Sequence, residues 1–157
     1  MIEVEVHYRR QNRQTVINGT VEELDFAWVA RSRAGHGTTI DGSWGEERIT
    51  VDMLERRVGT GMATLSGAIG SDIVSLTISH HLHLGLDATG TIGKCDIALR
   101  LDRPVGSRRR IVHRQPQPDV ALQVTWQNLG GTLHGRVTRI EDAVAATLVG
   151  LASADAR

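Results

Sequence analysis

Three histidines fall within four residues, in the run Ile78-Ser79-His80-His81-Leu82-His83-Leu84. If this run is a strand, His81 and His83 share one face with Thr77, Ser79 and Asp87, while His80 joins the leucines on the other. A His-x-His pair on a strand brings two imidazoles to similar depth. That suits a divalent transition metal completed by ligands from another strand. His113 is a further donor if its segment folds back, so His81, His83 and His113 are the candidate metal ligands. The competing reading is a polar strand face in solvent. Histidine titrates near ~6.5, so the cluster could also act as a pH-dependent contact. With His80 neutral among leucines, stability or assembly is expected to fall below about pH 6.

A second group is cationic. Arg103, Arg108, Arg109, Arg110 and Arg114 lie within twelve residues, with no acid between Asp102 and Asp119. Guanidinium forks match phosphate and carboxylate geometry. Arg108, Arg109, Arg110 and Arg114 are therefore the candidate contacts to a phosphate-bearing ligand, a nucleic acid or an acidic protein surface. Such binding would weaken steeply with salt. The competing reading is a solvated loop balanced by acids elsewhere. No recognition helix or aromatic-rich strand supports sequence-specific nucleic-acid reading.

The order His81, His83, Asp87, His113, with Pro104-Val105-Gly106 between, resembles the metal site of the cupins. The resemblance implies a jelly roll binding a metal through two histidines, an acid and a distant histidine. The chain departs from that pattern at Ser75, Asp87 and Arg109. Arg9 and Arg13 are similar to the Arg-x-x-x-Arg motif of the PilZ domain, a small barrel that binds a cyclic dinucleotide. The second PilZ motif is one residue short at Asp41-Gly42-Ser43-Trp44-Gly45.

Composition narrows the remaining classes. The chain has 157 residues, the length of a single β-rich domain over 1–157. Its 18 basic and 18 acidic residues cancel, which excludes a strongly basic nucleic-acid coat and an acidic tail protein. The five aromatic rings are Tyr8, Phe26, Trp28, Trp44 and Trp126, too few for a stacking platform. Cys95, the single cysteine, cannot form an internal disulfide and reads as a small buried hydrophobe. No secretory signal and no run of ~18 apolar residues is visible, so a cytoplasmic location is expected. No nucleophile elbow, Walker loop or Rossmann glycine pattern is present.

The elements that must position these residues are mostly strands. Ile2, Val4, Val6 and Tyr8 alternate with polar residues. So do Val74 to Leu86, Cys95 to Leu101 and Val120 to Trp126. Asn18-Gly19 and Asp41-Gly42 read as hairpin turns, and Asp87-Ala88-Thr89-Gly90 as a turn with a bulge. Gly59-Thr60-Gly61, Gly70-Ser71-Asp72 and Gly130-Gly131 mark further breaks. The spacing predicts nine or ten strands in an antiparallel barrel or two-sheet sandwich, with 73–86 and 91–102 as its central hairpin. Residues 103–119, with three prolines, read as an irregular loop broken by a short strand at Ile111–His113. Thr138 and Glu141 match a capping box, and Ile140, Val144, Leu148 and Leu151 form one stripe of a helix over 139–153.

Long strands expose edges unless they close or pair with another copy, which favours a homo-oligomer. The leading expectation is a non-catalytic binding or assembly module that self-associates. The alternatives are a metal-binding or cupin-like enzyme at His81 and His83, and phosphate or nucleic-acid contact through the arginines.

Overall fold

The computed structural model describes residues 1–33, 37–55, 62–81, 85–102, 109–114 and 121–153. The chain forms strands β1 (Ile2–Gln11), β2 (Gln14–Val21), β3 (Leu24–Arg33), β4 (Gly37–Trp44), β5 (Glu47–Glu55) and β6 (Met62–Ile69). It continues through β7 (Asp72–His81), β8 (Gly85–Ile92), β9 (Cys95–Asp102), β10 (Arg109–Arg114), β11 (Ala121–Gln127) and β12 (Gly130–Val137). Each strand pairs antiparallel with its neighbours in sequence, and β12 closes on β1. The result is a closed barrel of 12 strands, which settles barrel against sandwich. Every strand is paired on both sides, so no strand edge is open among the described residues.

The two-residue rhythm sets which side chains face inward. Val4, Val6 and Tyr8 are buried while Glu3, Glu5 and His7 are exposed. Ile97, Leu99 and Leu101 do the same in β9, and Leu122, Val124 and Trp126 in β11. The strand count and several turns differ from expectation. Residues 73–86 are not one strand: β7 ends at His81 and β8 begins at Gly85. Asn18-Gly19, Asp41-Gly42 and Asp87–Gly90 all lie inside strands. Space explains the first two glycines. Gly19 is opposite Phe26, whose ring a Cβ would meet at 2.7 Å. Gly42 is opposite Trp28, and a Cβ there would lie 2.1 Å from the Ala27 carbonyl oxygen.

The tight turns fall at Asn12-Arg13, Glu22-Glu23, Gly45-Glu46, Gly70-Ser71 (an expected break), Gly93-Lys94 and Asn128-Leu129, the last just ahead of the expected Gly130-Gly131. In the first five the leading residue is left-handed, with φ between 54° and 61°. Primed hairpin turns require this to match strand twist. The break expected at Gly59–Gly61 lies outside the described residues. Of the segment 103–119, residues 109–114 are strand β10.

The helix α1 (Ile140–Ser153) is buried along its whole circumference from Asp142 to Ser153. A single apolar stripe does not account for that. The helix lies inside the barrel. It packs against β1, β8, β9 and β12, and its last turn shares a cavity with residues from β1 to β7. An eight-stranded barrel is filled by its own side chains, and twelve strands leave a wider lumen. At ~1.5 Å per residue the helix climbs roughly 21 Å through that lumen. Phe26, Trp28 and Trp44 fill space with ring centroids 4.8 to 5.9 Å apart. Tyr8 and Trp126 form a second pair, centroids 5.0 Å apart.

The helix is pinned at three heights. At its foot Arg139 grips the fully buried Asp142 through two hydrogen bonds of 3.0 and 2.9 Å and donates a third to the Asp96 carbonyl. The bond to Asp142 holds the Arg139 guanidinium above its ordinary pKa, against the opposing effect of burial. Halfway up, the Tyr8 hydroxyl donates to the Thr147 carbonyl at 2.7 Å, and burial pushes that phenol far above its usual range. At the top Arg110 donates to the Ser153 carbonyl, while Trp126 Nε1 donates to Ser153 Oγ at 3.2 Å.

Candidate functional site

The strand directions give the barrel a foot, where the helix begins, and a mouth, where it ends. At the mouth a cavity of about 190 Å³ opens between the strand ends. Its floor is apolar: Ala30, Met53, Ala63, Leu151 and Ala152. Thr15, Ser32 and Thr38 supply hydroxyls to its wall. Arg10, Arg13 and His80 stand among the described lining residues, and no carboxylate is among those described. Arg10 also lies over the Trp126 ring, 5.8 Å from its centroid. Among the described residues, neither Arg13 nor His80 has a side-chain hydrogen-bond or ion-pair partner.

The local reasons are simple. Inward alternation from Val4 through Tyr8 brings Arg10 to the top of β1 on the lumen side, whereas Arg9 points out. Asn12 takes the left-handed turn position, which asparagine tolerates, and Arg13 follows at the rim. His80 continues the inward series Val74, Leu76, Ile78, but it is half-buried because β7 has reached the rim. The leucine face ends there, and His80 meets the cavity.

Those of the singled-out residues that are described do not come together. His83 and Arg108 lie outside the described residues, as do the side chains of His81 and Arg109. Arg110 faces inward, 6% exposed, and caps the helix, so it is turned away from any partner outside the barrel. Arg114 is half-buried on the same inward register. His113 sits on the outer wall with Nε2 2.5 Å from Asp102, and Asp102 also accepts from Arg100 Nε at 2.9 Å. Among the described residues no group of three or more His, Cys, Asp or Glu is placed to hold a metal ion. Cys95 is half-buried rather than buried. Burial raises its thiol pKa and the neighbouring Glu141 adds to the rise, so it stays protonated.

The Asp102 network yields a pH prediction. Burial pushes the carboxyl up, but hydrogen bonds from His113 and Arg100, with their charges, outweigh it and leave the pKa below its ordinary value. A lowered folded pKa contributes stability above ~3.9 that is lost as pH falls through the folded value. Asp102→Asn should therefore lower stability at neutral pH and flatten the acid limb, so that the two proteins converge below about pH 4. Chemical denaturation from pH 7 to pH 3 checks this. Equal acid sensitivity in both proteins would remove Asp102 from the account.

The fold and mouth together define a class: a closed antiparallel barrel whose own helix fills the lumen and stops short of one end. No family model matches the chain, and no curated protein or solved structure matches it. Among the described residues no helix is long and apolar enough to cross a membrane.

Proposed function

We propose that this chain is a non-catalytic binding module that takes a small ligand at the barrel mouth. One observation carries the reading. The helix occupies the lumen but ends beneath a cavity with an apolar floor and a polar rim. Binding sites combine those two features. A volume of about 190 Å³ falls below the ~300–1,000 Å³ of drug-sized pockets, so the ligand is smaller than a nucleotide. An NMR screen of small-molecule mixtures tests the reading. Amide shifts should cluster at Asn12–Thr15, Ser32, Thr38 and His80, and Thr38→Trp should block them without unfolding the protein. Shifts that never cluster at these positions would overturn it.

Self-association is a second reading, with separate support. Closure removes edge pairing, but the end turns differ in charge. Exposed Glu22, Glu23 and Glu46, against a single Lys94, occupy turns at the foot, and exposed Arg13 a turn at the mouth. Foot-to-mouth stacking of copies follows from that sorting. Sedimentation velocity should show oligomers at ~0.02 M salt that dissociate at ~0.5 M, where screening is strong. A monomer at both concentrations would end this reading.

A further inference from the structure

We infer that the mouth selects a small organic anion, a carboxylate on a short aliphatic body. This rests on the mouth being the binding site and names what it recognises. Three features point the same way. First, the described lining residues include two guanidiniums and an imidazole, and no carboxylate is among them. Arg13 is the informative one, because no described carboxylate pairs with it.

Second, part of the charge that would oppose an anion is already answered, at two of the last carbonyls. A helix C-terminus carries about half a negative charge on its free carbonyls and would draw a cation into the mouth. Here Arg110 takes the Ser153 carbonyl, and the Ser153 hydroxyl donates to the Gly150 carbonyl at 2.7 Å. Trp126 Nε1 in turn donates to that hydroxyl. Arg13 takes no part in that capping.

Third, the described floor residues Ala30, Met53, Ala63, Leu151 and Ala152 are aliphatic or thioether. Ala30, Ala63 and Leu151 offer no donor or acceptor from their side chains. A bare inorganic anion would leave that floor unused. An aliphatic tail covers it while the carboxylate reaches Arg13 and the wall hydroxyls. A planar guanidinium fork accepts a carboxylate in bidentate fashion.

NMR titration with four probes decides the matter: hexanoate, hexanol, hexylamine and inorganic phosphate. Hexanoate should shift the mouth amides in a saturable one-to-one titration. The other three should bind at least about tenfold more weakly, a difference of about 1.4 kcal/mol. Arg13→Gln, an exposed turn substitution, should cut hexanoate affinity by a similar factor, and Arg13→Lys should restore part of it. Hexanol binding as tightly as hexanoate would overturn the anion class while leaving the mouth as a binding site. Phosphate binding as tightly would overturn the aliphatic requirement. If none of the four perturbs the mouth, while the mixture screen still finds ligands there, the inference falls alone. If that screen fails as well, the binding reading falls with it.

Discussion

Ending the chain after Val137 abolishes cooperative unfolding and leaves a protein without fixed tertiary structure. The strands would all remain, and so would their turns. What goes is the filling of the lumen. Val144, Leu148 and Val149 are each at most 2% exposed inside the barrel. Emptying one such site costs about 2–5 kcal/mol, and whole domains are stable by only ~5–15 kcal/mol. Loss of the complete helix therefore exceeds what the wall can spare. The milder variant Leu148→Ala should fold and lose about 2–5 kcal/mol, read as a lower urea midpoint at unchanged slope. Near-ultraviolet circular dichroism and melting of the truncated chain supply the main test. A sharp melt with native-like aromatic signal would show that the wall stands without its filling.

The second large effect belongs to the foot of the helix. Asp142 is fully buried, and its carboxylate is answered by both forks of Arg139. Arg139→Met removes the charge and both hydrogen bonds while keeping most of the side-chain bulk. A buried carboxylate left without its partner costs about 3–5 kcal/mol. Removing both partners is different, because nothing charged is then left unpaired. The double variant Arg139→Met/Asp142→Leu should recover most of the loss. Urea unfolding at pH 7 distinguishes the cases. A single-variant cost below about 1 kcal/mol would mean that water, not Arg139, compensates Asp142.

The wall was readable in the sequence because inward and outward residues alternate with period two. Val4, Val6, Tyr8 and Ile97, Leu99, Leu101 are all buried as that rhythm requires. The turns were less readable, because glycine serves two purposes here. Gly45, Gly70 and Gly93 supply left-handed backbone, whereas Gly19 makes room for the Phe26 ring and Gly42 for the Ala27–Trp28 backbone of the next strand. Asn-Gly and Asp-Gly look the same in either use. The helix was placed within a residue of its observed start, but its surroundings were missed. The overlooked signal lies in 143–153, which carries no charge at all. A helix with no polar face is one enclosed on every side. The mouth was not legible, since Arg10, Arg13, His80 and Leu151 are remote in sequence and meet only once the ring has closed.

The placement of α1 after β12 also sets an order of events during synthesis. The first strand must wait for the twelfth, so the ring cannot shut until Val137 has left the ribosome. Pairing of such distant partners is slow, and an unclosed sheet offers its edges to other chains meanwhile. The plug arrives later still. Nascent copies thus pass through a stage with a bare apolar trough, when shielding by a chaperone would matter most.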